Sequence, residues 1–419
     1  MAIVRSRALQ PIWVFSTLSA LLAAGYGVLF TIVGDYRDEY GISETTVGWI
    51  IGIGFIVAFA SQIAIGPLGD GGHARTLVFG GAIVNVFGLL LMGFGTTAPV
   101  ILSGRIVSGL AIGAASPAIK RIVVVGSGEN LGRNLGRLFS ADVFGFAMGP
   151  VISAVLVGPF GLAAPFLVIA ALTMVVVGVT LSLEVQEAPD TDSRRFAIDL
   201  LRLRPFAGAV MIGAAAFMMI GAFDALWDLV HTDLGTTEWV ANLGIALFAV
   251  PLVILGPTSG RLAQRIGPFL VASAGLAAGA LFMAIYGALT VGLAIFAVAM
   301  VHALTDGLSF AASGVAVGMA APEHRQAGAQ GVLGGMQALA AGVMAPFAGW
   351  LYENHGQQVA YWFAAIIMIA MVAGGLLLAG SDARHLKGRR IQGPGAAAGG
   401  WGSRTADRTV CAATGDHLE

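Results

Sequence analysis

The chain carries its apolar residues in long runs rather than in the short periodic patches of a water-soluble protein. Twelve runs are long enough to cross a membrane as a helix, which takes roughly 20 residues for about 30 Å of hydrocarbon. The first run is longer than a signal-peptide core, so we predict that it is retained. The predicted spans are 12–34, 47–68, 76–96, 98–121, 138–159, 162–184, 205–230, 239–262, 268–289, 291–320, 326–351 and 357–380.

Basic residues give these spans an orientation. An even number of spans places both termini on one side, and 20 of the 22 Lys and Arg residues lie on that side. The exceptions are Arg37, on the opposite side, and Arg105, inside the fourth run. Because positively charged loops are retained in the cytoplasm, we predict a multi-pass protein of the plasma (inner) membrane with both termini cytoplasmic.

Composition narrows the class of protein further. Hydrophobic residues make up 57% of the chain and charged residues 11%, with a mean hydropathy of +0.86. A soluble domain carries about 25% charged residues, so a soluble enzyme is excluded. The formal net charge of -1 gives no basis for a nucleic-acid partner. A single cysteine, Cys411, leaves no internal disulfide and no cysteine metal site, and we predict neither a cofactor nor a metal.

The runs divide the chain into four predicted parts. Residues 1–184 and 205–380 hold six spans each and form an N-terminal and a C-terminal six-helix bundle. The tail, 381–419, is Gly/Ala-rich with mixed charge, which predicts a disordered cytoplasmic segment.

The fourth part is the cytoplasmic loop 185–204 between the bundles. Its charged and apolar residues fall on different helical faces, with Arg195, Asp199 and Arg202 on one and Phe196, Leu200 and Leu203 on the other. This pattern favours a short amphipathic helix on the inner leaflet, and a plain linker is the alternative.

The two halves repeat short sequence features at a nearly constant offset. One feature follows the second span of each half, one precedes the fifth span, and one lies inside the fifth span. The matched pairs are Gly66 and Gly260, Arg133 and Arg325, and Pro150 and Pro346, which are 194, 192 and 196 residues apart. Such regularity predicts two parallel repeats of one six-helix unit.

The loops after the second and eighth spans resemble those of the major facilitator superfamily, and the resemblance covers residues 1–380. The first loop is similar to the family's Gly-x-Leu-x-Asp signature, with Gly66, Leu68, Asp70 and Arg75. Where the family usually has an Arg, a Gly and a second basic residue, this loop has Gly71, His73 and Ala74. The second loop keeps Gly260, Leu262, Arg265 and Gly267, with Gln264 in place of the acid.

Two further motifs lie inside spans. The fourth span has Arg105-x-x-Ser108-Gly109, which looks like the family's arginine-containing motif. The fifth span has Gly145-x-x-x-Gly149-Pro150, which is similar to the antiporter motif of the 12-helix proton-coupled drug and metabolite exporters. Ser153 and Ala154 replace a usual glycine pair there.

The resemblance implies an all-α integral membrane protein of 12 transmembrane helices in two pseudo-symmetric six-helix bundles. A central cavity would open to each side of the membrane in turn, lined by helices one, four, seven and ten. The loop residues would act as a conformational switch, with members Gly66, Asp70, Arg75, Gly260 and Arg265.

Ionisable side chains inside the spans are the candidates for function, because a charge at mid-bilayer costs about 2.5–3.5 kcal/mol or more. Five lie on helices four, seven and ten, and we predict that they couple protons or line the substrate cavity: Arg105, Asp224, Asp228, His302 and Asp306. His302 and Asp306 are four residues apart and share a helical face. The alternative for each is a structural role. Asp142 is expected one turn into helix five, complementing its N-terminus.

These features predict a secondary active transporter, most specifically a proton-coupled antiporter that exports small amphipathic compounds. The alternatives are an uptake symporter or facilitator and, more remotely, a ligand receptor or an intramembrane metal-dependent enzyme built on Asp224, Asp228, His302 and Asp306. The predicted partners are a small-molecule substrate, protons and the lipid bilayer, with no nucleic acid. We expect a monomer and no enzymatic activity.

Overall fold

The structure, a computed structural model, describes residues 10–180 and 196–381. Within these two ranges every regular element is a helix, which confirms the all-α prediction. The predicted tail beyond residue 381 and most of the inter-bundle loop lie outside the described residues. The main helices are α1 (Gln10–Tyr40), α2 (Glu44–Ala64), α3 (Ala74–Phe94), α4 (Ala98–Ser127), α5 (Leu131–Phe160), α6 (Ala164–Thr180), α7 (Arg204–Asp233), α8 (Glu238–Ile266), α9 (Pro268–Ala288), α10 (Gly292–Ser309), α11 (Ala311–Ala320) and α12 (Gln326–Ala379).

Nine stretches of the described chain are long and apolar enough to cross a membrane. Two of them exceed a single crossing: one contains both α4 and α5, and the other contains α12. Gly128, at φ 49°, separates the first pair, and Gly356, at φ 81°, interrupts α12. Glycine is the residue that adopts such angles readily. The rings of Phe347 and Phe363 lie 5.1 Å apart, so α12 folds back at Gly356. This pattern agrees with twelve spans, a number that stays a prediction.

Several helices extend beyond the apolar runs that predicted them. Helix α1 continues to Tyr40 instead of ending near residue 34, and α5 begins at Leu131 instead of residue 138. The runs mark the hydrocarbon-facing length, whereas the helices continue into polar regions. Asp142 therefore lies eleven residues into α5, or about 17 Å at 1.5 Å per residue. The expectation that it lies one turn from the helix start was wrong.

Many large apolar side chains of the described chain are exposed. Among them, Ile254, Leu281 and Leu377 are 68%, 61% and 82% exposed. Exposed apolar surface on this scale is unfavourable in water and is satisfied by lipid.

Within each half, helices approach closely where small residues face one another. Helix α1 packs on α5 and α3 on α4 in the N-terminal half, while α7 packs on α12 and α8 on α10 in the C-terminal half. A Cβ atom added to Gly88 would lie 2.8 Å from the carbonyl oxygen of Gly104, so α3 and α4 touch through their backbones. Nearby, Ser108 donates a 2.7 Å hydrogen bond to Asn85 in the same interface. Small residues and buried polar pairs are the usual means of helix association in lipid.

Candidate functional site

The two halves meet at one end of the helices, the end that carries the loops near Asp70, Glu129, Gly267 and Arg325. We call this end the basic face. There α5 and α8 cross with backbone contact. A Cβ on Gly132 would lie 2.0 Å from the carbonyl oxygen of Gly260, and one on Gly260 would lie 1.8 Å from that of Gly132. This reciprocal contact leaves no room for a side chain. The predicted switch residue Gly260 is therefore part of the closed basic face.

Asp70 joins the other pair of helices across the same face. Its Oδ1 and Oδ2 accept hydrogen bonds of 2.8 Å from the backbone N–H groups of Ala327 and Gly328, in the first turn of α12. A carboxylate is favourable there, because the unpaired N–H groups of a helix start carry partial positive charge. The Nε of Arg121 lies 3.3 Å from Oδ1. The arginine that pairs with Asp70 is thus Arg121.

The other predicted switch residues occupy different positions around this contact. Gly66 lies against α4 and α12, where an added Cβ would be 3.3 Å from the ring of Pro117 and 3.6 Å from the Cα of Gly331. Arg75 is exposed, with its guanidinium 5.7 Å from the ring centroid of Phe79. Arg265 is exposed at the end of α8.

Gln264 makes the equivalent contact in the second repeat. Its Oε1 accepts a 2.8 Å hydrogen bond from the backbone N–H of Gly132, in the first turn of α5. Its Nε2 donates to the carbonyl oxygen of Glu129 at 3.2 Å. The residue that replaces the expected acid therefore still binds a helix start, through an uncharged side chain.

The described end of the inter-bundle loop reinforces this face. Residues Ile198–Arg202 form a short 3-10 helix. Asp199 accepts two hydrogen bonds of 2.7 Å from Arg325, whose Nη2 also donates to the carbonyl oxygen of Phe196 at 3.3 Å. Leu200 is buried, whereas Phe196 and Leu203 are exposed, so the apolar residues of the predicted amphipathic segment face in different directions.

Away from the basic face, α2 and α12 separate. Three glycines recur every seven residues on one side of α12: Gly335, Gly342 and Gly349. The distance from an added Cβ atom on each to the nearest atom measures how close α2 lies. The first would lie 3.3 Å from Phe59 of α2, the second 3.5 Å from Phe55, and the third would meet no atom within 4 Å. Gly48, near the far end of α2, also faces open space. The packing of α2 against α12 therefore loosens from the basic face toward the opposite face.

Arg105 lies about 10 Å below the opposite face, seven residues into α4. The side chain is fully buried, and its Nε donates a 3.2 Å hydrogen bond to the carbonyl oxygen of Ile50. Its Cζ atom lies 3.7 Å from the ring centroid of Tyr26, a close cation–π contact. Neither Nη1 nor Nη2 has a hydrogen-bond acceptor among the described residues. Gly54 makes space for the guanidinium, since a Cβ there would lie 2.3 Å from Nε.

His302 and Asp306 form a close, buried pair inside the C-terminal half. Nε2 of His302 lies 3.4 Å from Oδ2 of Asp306, and each side chain is 1% exposed. On the other side of the ring, Nδ1 lies 2.9 Å from the hydroxyl of Tyr286. Neither carboxylate oxygen accepts a hydrogen bond from the described residues. The pair shares one helical face, as its spacing indicated.

Aromatic side chains surround His302. The ring of Phe282 stacks on it at 4.9 Å, and Phe248 and Phe223 approach edge-on at 5.5 and 6.3 Å. These residues come from α7, α8 and α9, so the histidine points into the C-terminal bundle. Helix α10 was expected to present the pair to the central cavity, and the structure instead encloses it between helices.

Asp224 and Asp228 lie on α7, away from this pair. Asp224 is exposed, whereas the side chain of Asp228 lies outside the described part of the structure. In the described ranges, no group of three or more His, Cys, Asp and Glu side chains comes close enough to hold a metal ion.

The antiporter-like motif packs inside the N-terminal half. Cβ atoms on Gly145 and Gly149 would lie 1.9 Å from the carbonyl oxygen of Ala20 and 2.5 Å from the backbone nitrogen of Val28, both in α1. Pro150, which cannot donate a backbone hydrogen bond, lies against α1 at Gly27. The motif thus sets the contact between α1 and α5.

One charged cluster was missed by sequence reasoning. Asp142 of α5 accepts a hydrogen bond from the hydroxyl of Ser19 in α1. The positive charge acting on Asp142 is that of Lys120 in α4. The sequence predicts Lys120 at the cytoplasmic surface and Asp142 at a helix start. A correct prediction of the first residue of α5 would have been needed to place the two side chains at similar depth.

Long apolar helices that expose large apolar side chains define an integral membrane protein. The sequence pattern of the Major Facilitator Superfamily matches residues 15–235 and 206–413, and the chain belongs to that family. It is a multi-pass membrane transporter and not an enzyme.

Known proteins resemble the chain over most of its length. An uncharacterised MFS-type transporter of Methanocaldococcus jannaschii, MJ1560, is 24% identical over 370 residues, which cover 86% of this chain and 95% of that protein. The crystal structure of the human organic anion transporter MFSD10 superposes with a TM-score of 0.71 at 13% identity, covering 88% of this chain and 99% of that one. The E. coli fucose:proton symporter FucP gives 0.69 at 15% identity, with the same coverage. These structures share the fold.

Proposed function

We propose that the protein is a proton-coupled antiporter that exports small amphipathic compounds by alternating access. It would act as a monomer in the plasma membrane with both termini in the cytoplasm. The N-terminal half, 1–184, and the C-terminal half, 205–380, would rock against each other around a central cavity. The basic face would then be the cytoplasmic side, and the described conformation would be open to the outside.

The observation that carries this proposal is the buried pair of His302 and Asp306, whose side chains lie 3.4 Å apart at 1% exposure each. Histidine is a common proton shuttle, and intramembrane ionisable residues commonly form proton relays. Binding of one proton changes the net charge of the pair by one unit. In a bundle lined by Phe248 and Phe282, a net charge on the pair is costly unless water enters. The protonation state of the pair would thus be coupled to its hydration and to the conformation of the protein.

Arg105 and Asp224 supply the remaining charges for the transport cycle. The unfilled nitrogens of Arg105 would bind an acceptor group from substrate or water once Tyr26 moves, since a buried guanidinium is costly without acceptors. Asp224, exposed on α7, would bind a donor group on the substrate, with Asp228 one turn further along. The glycine contacts of α1 with α5 would keep the N-terminal half free of a proton leak.

Proton flux in inside-out membrane vesicles tests this function. An acid-inside gradient is established, and cationic, neutral and anionic amphipathic compounds are added while a pH-sensitive dye reports the lumen. Antiport predicts that one class of compound collapses the gradient. The collapse should be lost in Asp306→Asn and His302→Gln.

The matched control is Asp38→Asn, the same chemical change at an exposed side chain near the outer end of α1. It should collapse the gradient as the wild type does. A collapse that persists in Asp306→Asn would move the proton site elsewhere. No response to any compound would contradict antiport for those classes.

Uptake by proton symport is the second candidate. The structural likeness to FucP, itself described as a fucose:proton symporter, favours it. Symport predicts the opposite sign in right-side-out vesicles: substrate addition would carry protons inward and acidify the lumen. A facilitator would move substrate without any change in lumenal pH.

A further inference from the structure

Helices α5 and α8 form a seam between the two halves, and arginines line one side of it. Gly132 meets Gly260 near the basic face, and one turn further along an added Cβ on Gly136 would lie 2.1 Å from the carbonyl oxygen of Gly256, so the helices run antiparallel. Gln264 also faces α5, through its hydrogen bond to Gly132. Since each residue turns about 100° from the last, the residues that follow facing positions on two antiparallel helices point to the same side. Four of these following residues are arginines, which we call the seam arginines: Arg133, Arg137, Arg261 and Arg265.

The arginine side of the seam faces away from the interior of the protein. Phe144 of α5 and Ile254 of α8 each lie seven residues from a seam arginine, and therefore on the same helical side. They are 52% and 68% exposed. Leu135 precedes a facing residue and points to the other side of the seam, where an added Cβ on Gly318 of α11 would lie 3.8 Å from it. The seam arginines thus lie between a lipid-exposed apolar surface and the basic face.

An aromatic side chain at the same level indicates the membrane interface. The Cζ atom of Arg137 lies 5.2 Å from the ring centroid of Trp13, which is in the first turn of α1 and 60% exposed. Tryptophan is enriched at the level of lipid headgroups. Arg137 is half-buried and the other three seam arginines are exposed. Their guanidinium groups are therefore placed to meet phospholipid headgroups.

The seam arginines outnumber the acids near them in the sequence. Helix α8 has no acid after Glu238, and the acid that comes just before α5 is the exposed Glu129. Four arginines and one glutamate leave a net charge of +3. Within the described ranges, no carboxylate forms an ion pair with a seam arginine. This positive surplus favours an anion from outside the chain.

The second repeat shows what the equivalent arginine binds. Arg325 corresponds to Arg133 at an offset of 192 residues, and it donates two hydrogen bonds of 2.7 Å to Asp199 of the inter-bundle loop. A guanidinium fits a phosphate in the same two-pronged way as a carboxylate. An acidic side chain thus occupies in one repeat the place that the other repeat leaves open to lipid.

We propose that the seam arginines bind the phosphate of an anionic phospholipid, and that the bound lipid holds the basic face closed. Arg133 and Arg137 belong to the N-terminal half, whereas Arg261 and Arg265 belong to the C-terminal half. Separation of α5 from α8 would divide the site, so the complete site exists only while the basic face is closed. A ligand that binds one conformation better shifts the population toward it. Lipid binding is independent of the proposed transport, whereas its effect on the basic face rests on the proposed alternating access.

Native mass spectrometry of the purified protein tests the binding. The probes are phosphatidylglycerol, phosphatidylcholine, which has a phosphate but no net charge, and glycerol 3-phosphate, which has no acyl chain. We expect phosphatidylglycerol to bind tightest. Each arginine near an anionic lipid contributes about fivefold in affinity, so Arg133→Gln with Arg261→Gln should weaken binding about 25-fold. Arg133→Lys with Arg261→Lys should keep most of the affinity, because both charges remain.

The matched control is Arg202→Gln with Arg204→Gln, which removes two exposed arginines at the start of α7, outside the seam. It should bind phosphatidylglycerol as the wild type does. Equal binding by the control and by Arg133→Gln with Arg261→Gln would overturn the site. If glycerol 3-phosphate bound as tightly as phosphatidylglycerol, the site would take a free phosphate ester and the lipid assignment would be wrong.

Distances between spin labels test the effect on the basic face. Cys411→Ser removes the native thiol, and Thr76→Cys with Leu270→Cys places labels at exposed positions near the basic ends of α3 and α9. In nanodiscs, replacing phosphatidylcholine with phosphatidylglycerol should raise the fraction with the short distance. Arg133→Gln with Arg261→Gln should lose this response, and the control should keep it. Unchanged distances despite bound phosphatidylglycerol would overturn the effect on the basic face, whereas proton antiport is judged separately by the vesicle assay.

Discussion

Gln264 accepts a 2.8 Å hydrogen bond from the backbone N–H of Gly132, the first turn of a helix in the other half of the chain. Asp70 binds the first turn of α12 in the same way, from the opposite half. The pseudo-symmetry of the sequence is therefore also a symmetry of contacts. The two contacts differ in charge. Asp70 is a carboxylate paired with Arg121, whereas Gln264 binds through a neutral amide.

This difference predicts unequal effects of removing the two contacts. Hydrogen bonds to a charged group contribute about 1.5–3 kcal/mol and neutral ones about 1 kcal/mol. Asp70→Asn should shift the equilibrium toward an open basic face by roughly tenfold or more, and Gln264→Ala by roughly fivefold. Label distances across the basic face measure both shifts. Equal shifts, or none, would contradict a charge-based difference between the two contacts.

The backbone contact between α5 and α8 predicts a strong effect of one methyl group. In Gly260→Ala the new Cβ would lie 1.8 Å from the carbonyl oxygen of Gly132, so the two helices must separate. The closed basic face should become undetectable by label distances, while the protein still folds because each half keeps its own packing. Gly158→Ala, on α5 with no atom within 4 Å, is the control and should behave as the wild type. A closed Gly260→Ala protein would show that the contact is not required.

The glycines along α12 predict how the opposite face closes. A Cβ atom added to Gly349 would meet no atom within 4 Å, and Gly349 lies on the side of α12 that contacts α2 nearer the basic face. Gly349→Leu should therefore leave the described conformation and the unfolding temperature unchanged. It should hinder closure against α2 and slow transport, with label distances at the opposite face fixed at the open value. Gly178→Leu, at another open position, should slow nothing.

Hydropathy predicted the spans because hydrocarbon requires continuous apolar segments. It could not predict helix ends, since the first two turns of α5 contain Arg133 and Arg137, which are polar and yet helical. That error placed Asp142 at a helix start and separated it from Lys120. If the first turns of α5 had been predicted as helix, Asp142 would have been placed at the same depth as the half of α4 nearer the basic face.

The rotation of helices was the second feature that the sequence left open. The spacing of His302 and Asp306 fixes that they share a face, but not which neighbours that face meets. Phe282 and Tyr286, four residues apart on α9, form the surroundings of His302, and nothing in their local sequence distinguishes them from ordinary core residues. Backbone carbonyls are likewise invisible in a sequence, so the Ile50 acceptor of Arg105 could not be predicted.

Arg105 gives the last prediction, because two different substitutions should disturb the same guanidinium. Arg105→Lys removes the planar group that stacks on Tyr26 and the Nε–H that binds Ile50. Gly54→Ala keeps the arginine but places a Cβ 2.3 Å from its Nε. A desolvated cation–π contact contributes about 2 kcal/mol, so each variant should unfold at lower temperature and transport more slowly. Arg37→Lys, which changes an exposed arginine near the end of α1 away from the basic face, should change neither property. A Gly54→Ala protein with normal stability and transport would show that the position of the guanidinium is not what matters.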